Sequence, residues 1–346
     1  MPARRRAPNF RLHRRARTPL QRRAILAAVS MVTVALVGAG CATTDEPAES
    51  SSDTTVTTPT ALLPTIAVTY SVLASVVRDL VEGVAEVVAI VPDGVDPHDF
   101  EPSARDVETL TKADFVVANG LHFESGLDSA LEQLRTAGRP VFYVIDHVTA
   151  RLMDDATDEG DGHDHAKGGD GALDDGHDHG AIDVHLWTSP ATLVGMIEPL
   201  AEELGVALGI DLTSRAASVV AEMNELDSEI LDLMATIPAC ELVTGHNELG
   251  YFAERYGCEL IGTVIPSSTT TAEASAGQLA ELKKVIAERS ASVIFTSLGT
   301  PREVADQIAR ESGARVVELS THVMGDAGSY ADFMRRLAAT IVGALG

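Results

Sequence analysis

Eleven histidines mark this 346-residue chain, and where they fall is its most informative feature. His163, His165, His177 and His179 lie in the segment 154–180, where Gly-His-Asp-His is written twice among ten acids and seven glycines. Six others, His98, His122, His147, His185, His246 and His322, are spread through stretches patterned like a folded core. Neutral imidazole is a strong ligand for divalent transition metals, so histidines gathered at one point would do metal-binding chemistry. Three have suggestive surroundings. His98 stands in Asp96-Pro97-His98-Asp99-Phe100-Glu101-Pro102-Ser103, where prolines fix a turn. His185 stands in Asp183-Val184-His185-Leu186-Trp187-Thr188-Ser189-Pro190, and His246 in Gly245-His246-Asn247-Glu248-Leu249-Gly250-Tyr251-Phe252. For any one of them alone, helix capping or a buried hydrogen bond is the competing reading.

Bringing distant histidines together needs a scaffold. Runs rich in β-branched residues at 65–69, 86–91, 115–118 and 141–145 read as strands, with helices at 72–82 and 104–113. The alternation returns with strands at 241–244, 259–264, 292–296 and 315–319 and helices near 248–256, 272–288, 301–311 and 330–342. Such alternation implies parallel sheet with crossover helices, whose ligands bind at the carboxyl ends of strands. His98 and His246 each follow a strand, one in each run. The expected fold class is α/β, with two lobes, each a mainly parallel sheet flanked by helices. Between the runs, Val219, Met223, Leu226, Ile230 and Leu233 alternate in steps of four and three, the stripe of one long amphipathic helix over 213–236. The expected division is an N-terminal lobe over 62–212, a linking helix over 213–237 and a C-terminal lobe over 238–346.

Charge narrows the partners. The chain carries 26 Lys and Arg against 51 Asp and Glu, and nine of those bases fall in the first 40 positions, which hold no acid. The remaining 17 bases face all 51 acids, a balance that repels phosphate backbones and enriches cations, so nucleic acid is excluded as a partner. The basic stretch runs into seventeen uncharged, mostly apolar residues at 24–40, so 1–40 reads as an export signal. Gly38-Ala39-Gly40 before Cys41 resembles a bacterial lipobox, which makes Cys41 the expected lipid anchor to the cell membrane in an extracytoplasmic protein. Ordinary signal cleavage and an uncleaved anchor are the alternatives. Residues 41–61, rich in Thr and Ser, read as a flexible tether, and 154–180 as a disordered loop whose paired histidines capture metal weakly. In an oxidising compartment Cys240 and Cys258 are a reasonable disulfide pair, with two buried free thiols as the other reading.

The order of three motifs carries a resemblance. Asp-Pro-His followed by an aromatic and Glu-Pro-Ser, then Asp-x-His-x-Trp-x-x-Pro after a His-rich acidic insertion, then His before Gly-Tyr-Phe, resemble the metal-binding lipoproteins of zinc and manganese ABC importers. The resemblance implies two lobes joined by a rigid helix, metal in the cleft between them, delivery to an ABC permease, and no catalysed reaction. It makes His98, His185 and His246 ligands, and His at the third motif is similar to zinc importers, where manganese importers carry Glu. Zn²⁺ is therefore the expected transported ligand, with Mn²⁺ or iron as the alternative. The family often places a carboxylate after the strand at 315–319. This chain reads Glu318-Leu319-Ser320-Thr321-His322 there, so His322 is the nearest competent fourth donor, with Glu318 or a water as rivals. His122 and His147 receive no ligand role, and the chain is expected to act as a monomer. Two other classes stay open: a zinc hydrolase with Glu248 as its base, and a metal-buffering adhesin.

Overall fold

The computed structural model describes residues 63–153 and 182–346. The export signal, Cys41, the tether and the loop bearing His163, His165, His177 and His179 lie outside the described residues.

The N-terminal run begins with β1 (Thr65–Tyr70), α1 (Ser71–Val81) and β2 (Glu86–Val91). It continues through α2 (Ala104–Lys112), β3 (Phe115–Ala118), α3 (Asp128–Thr136) and β4 (Val141–Tyr143). These strands form one parallel sheet in the order β2-β1-β3-β4. Helices cover both faces of such a sheet, which is why β1 and β3 read as unbroken apolar runs rather than alternating ones. Ser103 starts α2 with a capping box, accepting from the Asp106 N–H while the Asp106 carboxylate accepts the Ser103 N–H.

The strand expected at 141–145 stops at Tyr143, because its partner β3 ends opposite it at Ala118. Residues Val144–His147 instead form a 3-10 turn, held by the Ile145 N–H donating to the Asn119 carbonyl at 3.2 Å. Next come α4 (Pro190–Leu208) and α5 (Thr213–Met234), which pack on one another. Pro190 occupies the first turn of α4, where its missing N–H costs nothing, and Ser189 caps it. Helix α5 buries Val219, Met223, Leu226 and Ile230 as its stripe predicts, but Met234 rather than Leu233 completes it. One charged side chain sits in that stripe. Asp227 is satisfied by the Arg255 guanidinium and by the Tyr256 hydroxyl at 3.1 Å.

The second run is built from β5 (Glu241–Thr244), α6 (Gly250–Tyr256), β6 (Glu259–Thr263) and α7 (Ala276–Arg289). It ends with β7 (Val293–Thr296), α8 (Arg302–Ser312), β8 (Arg315–Glu318) and α9 (Tyr330–Leu345). The strands pair in parallel as β5-β6 and β7-β8, with β5 beside β7. A disulfide joins Cys240 to Cys258, the residues that immediately precede β5 and β6. Helix α9 packs on α5 and reaches α1. One apolar core therefore runs from Ile66 to Ile341, while a smaller one lies under α7 and α8. Among the described residues no helix is long and apolar enough to cross a membrane.

Candidate metal centre

Four histidines from four separate segments meet where the strands end. His98 follows β2 in the turn Pro97–Asp99, whose geometry is set by Pro97 and by the Asp96 carboxylate accepting the His98 N–H at 3.0 Å. His185 precedes the 3-10 turn Leu186–Thr188 that leads into α4. His246 follows β5, and His322 follows β8. All four are buried, with His98 the most accessible at 8% exposure. One ring nitrogen from each lies within 4.8 Å of the others.

The ring centroids are separated by 5.3, 5.4, 5.7, 5.1, 5.7 and 5.5 Å over all six pairs. Four points with nearly equal mutual distances are the corners of a tetrahedron. The His185 Nε2 lies 3.2 Å from the Nε2 of His98 and 3.2 Å from that of His246. A tetrahedral ion with Zn–N bonds of about 2.0–2.1 Å needs edges of about 3.3 Å.

The outer nitrogens show which lone pairs face inward. His185 Nδ1 lies 2.9 Å from Asp183 Oδ1, which also accepts the His185 N–H at 3.0 Å. An imidazole that donates through Nδ1 to a carboxylate keeps Nε2 unprotonated and ready as a ligand. The Thr321 hydroxyl donates to Glu248 Oε2 and its oxygen lies 2.9 Å from His322 Nδ1, so that nitrogen carries the proton and Nε2 of His322 is the buried atom without a hydrogen-bond partner. Arg151 supports Asp183 from behind, with its Nη1 3.6 Å from Asp183 Oδ2.

Aromatic rings close the site against water. Phe123 meets His98 edge-on at 4.8 Å and lies parallel to His322 at 6.2 Å. Trp187 packs 5.3 Å from both His185 and His322, and Tyr70 fills in behind Phe123 and Trp187. Burial is the main reason that His98, His246 and His322 titrate well below the ordinary histidine range, with repulsion from neighbouring histidines adding to it. Neutral imidazoles are the metal-binding form.

The remaining histidines lie elsewhere. His122 is exposed, with Nδ1 2.6 Å from Asp128 Oδ2, and His147 stacks on Phe142 at 4.2 Å. Glu318, the rival for the fourth position, is exposed at the end of β8. The sequence pattern gives no role to Asp183, Thr321 or the Phe123–Trp187 wall, although Asp183 and Trp187 stand inside the second motif.

Comparison with known proteins agrees with this architecture. Residues 66–344 match the family of the periplasmic component A of zinc-uptake complexes, ZnuA. The chain is 29% identical over 297 residues to the zinc-binding protein TroA of Treponema pallidum, across 82% of this chain and 89% of that one. It is 27% identical over 244 residues to the zinc-binding protein AdcA of Streptococcus pyogenes, covering 68% of this chain and 46% of AdcA, so it spans about half of that relative. The manganese-binding lipoprotein MntA of Halalkalibacterium halodurans is 23% identical over 328 residues, 91% of this chain and 96% of MntA. The solved structure of periplasmic TroA superimposes with a TM-score of 0.67 at 25% identity, covering 82% of this chain and 99% of the other. With its motifs in order and its fold shared, the chain belongs to the ZnuA family, a family of metal-binding transport components rather than enzymes.

Proposed function

We propose that the chain captures one Zn²⁺ among the Nε2 atoms of His98, His185, His246 and His322 and hands it to the permease of an ABC importer. The near-regular tetrahedron of four imidazoles carries this reading. Nitrogen donors in that geometry suit zinc, whereas Mn²⁺ prefers oxygen ligands in octahedral arrangement. Four protein ligands also leave no open position for an activated water, which catalytic zinc requires. The likeness to MntA supports manganese as the competing cargo. Cys41 carries the lipid anchor, the protein works as a monomer, and His163, His165, His177 and His179 collect zinc weakly without forming part of the tight site.

Native mass spectrometry of the exported domain, exposed to an equimolar mixture of Zn²⁺ and Mn²⁺, tests the assignment. One retained zinc, lost in His246→Ala, is the expected result. Retention of manganese in preference to zinc would overturn it. Deleting residues 154–180 should remove weakly bound zinc and leave the tight equivalent.

A further inference from the structure

The second-lobe histidines share one carboxyl group that no motif assigns. Glu248 lies in the short link between β5 and α6, two residues after His246, and is 1% exposed. Its Oε1 accepts the Ser297 hydroxyl at 2.6 Å and its Oε2 accepts the Thr321 hydroxyl. Its two oxygens also face the two rings: Oε1 is 3.7 Å from Nδ1 of His246 and Oε2 is 3.6 Å from Nδ1 of His322. The loops after β5, β7 and β8 thus converge on one side chain.

His246 Nδ1 is buried and makes no hydrogen bond in this arrangement. Once Nε2 is committed to a metal, Nδ1 carries a proton that needs an acceptor, and an unpaired buried donor is costly. Glu248 Oε1 lies less than 1 Å beyond hydrogen-bond range, within the motion that such bonds show when a site tightens around its ligand. Asp183 serves His185 in the first lobe in the same way, so each lobe brings its own acceptor.

We infer that Glu248 is a positioning residue, the acceptor that aims His246 directly and His322 through the Thr321 hydroxyl at the metal and sets the affinity of the site. The inference rests on the zinc-binding reading above. A glutamine in its place keeps the size but offers a single acceptor oxygen, so it can serve Ser297 and His246 or Thr321 and His322, not both pairs.

The test compares wild type, Glu248→Gln, Glu248→Asp and His246→Ala as full exported domains. Zinc affinity is read by chelator competition, Co²⁺ coordination by visible absorption, and the stability of the metal-free protein by thermal unfolding. Glu248→Gln should weaken zinc about 10–100-fold, the usual effect of removing an outer acceptor, and should alter the Co²⁺ bands without lowering the metal-free unfolding temperature. Glu248→Asp should fall between Gln and wild type. Wild-type affinity in Glu248→Gln alongside lost affinity in His246→Ala would overturn the role of Glu248 alone. A lower metal-free unfolding temperature with an unchanged Co²⁺ spectrum would overturn it too, by marking the residue as structural. Wild-type affinity in His246→Ala would overturn the zinc site itself.

Discussion

The indole N–H of Trp187 donates to the Thr321 carbonyl across 2.6 Å, so the turn that presents His185 is tied to the loop that presents His322. The Tyr330 hydroxyl donates in turn to the Trp187 carbonyl at 2.7 Å, carrying the tie on to α9. Two histidines of the cluster, 137 positions apart in sequence, are held to one geometry by an aromatic ring.

Trp187→Phe tests that tie. Phenylalanine keeps the aromatic wall but leaves the buried Thr321 carbonyl without its donor, which should cost about 1–3 kcal/mol. Denaturant unfolding of the metal-free protein measures it, and a loss below about 0.5 kcal/mol would show that the bond is replaceable.

His322→Ala should leave three imidazoles and an opening for water. Zinc affinity should fall by more than the roughly 10–100-fold expected for an outer acceptor. The Co²⁺ spectrum should also change. Unchanged affinity would return the fourth position to water or Glu318.

Gly250→Ala sets two effects against each other. Alanine favours helix over glycine by about 1 kcal/mol. Yet a methyl at this position would meet Asp183 Oδ2 at 2.2 Å and Arg151 Nη1 at 2.5 Å. The clash should win, displacing the carboxylate that orients His185 and weakening zinc binding. A variant that is more stable and binds zinc normally would show that Asp183 and Arg151 move aside at little cost.

The pH dependence of the metal-free protein has opposing contributions. In the metal-free protein burial pushes Glu248 up to about 8, so its folded form keeps a proton that the unfolded chain releases above about 4.5, and that proton must leave before both oxygens can serve as acceptors around a bound ion. Its contribution is present below pH 4.5 and is lost as pH rises to about 8, at roughly 1.4 kcal/mol per pH unit. The lowered histidines act with the other sign: the unfolded chain takes up protons below about 6.5, so their contribution is present above that pH and lost below it. Glu248→Gln isolates the first effect. Its stability advantage over wild type should grow between pH 5 and pH 8, and a difference independent of pH would contradict the assignment.

The Cys240–Cys258 bridge closes a loop of 18 residues and should contribute about 3 kcal/mol. Thiol titration of unreduced protein should find neither cysteine free. Reduction should lower the unfolding temperature but leave zinc affinity nearly unchanged, because the bridge clamps the starts of β5 and β6 while His246 stands at the far end of β5.

The four clustered histidines were legible chiefly because three stand in motifs that resemble those of a known family, while strand ends and prolines, written locally, marked the places of His98 and His246. His98, His185 and His246 sit in short motifs, and His322 follows a plain β-branched run. Helix α4 was not, since Pro190, Gly195, Pro199 and Gly205 interrupt its pattern. Pro190 falls where a helix tolerates it and Gly195 is needed for close approach to the His147 carbonyl, facts that only packing reveals. Glu248 was legible merely as an acid near a histidine. Its partners Ser297 and Thr321 lie 49 and 73 residues away, beyond the reach of any local pattern.

Burial of the cluster has a consequence for turnover. With no histidine of the cluster more than 8% exposed, an ion held among them leaves only when the site opens. An ion held at about 1 nM, with association near 10⁶–10⁷ M⁻¹s⁻¹, has a residence time of minutes. Unassisted escape would limit each carrier to one ion in that time, so a working importer must shorten it by pulling on contacts that cross the cleft. Asp93 makes one such contact, accepting the Met324 and Gly325 N–H groups at 2.7 and 2.9 Å, so a pull there acts on the loop that presents His322.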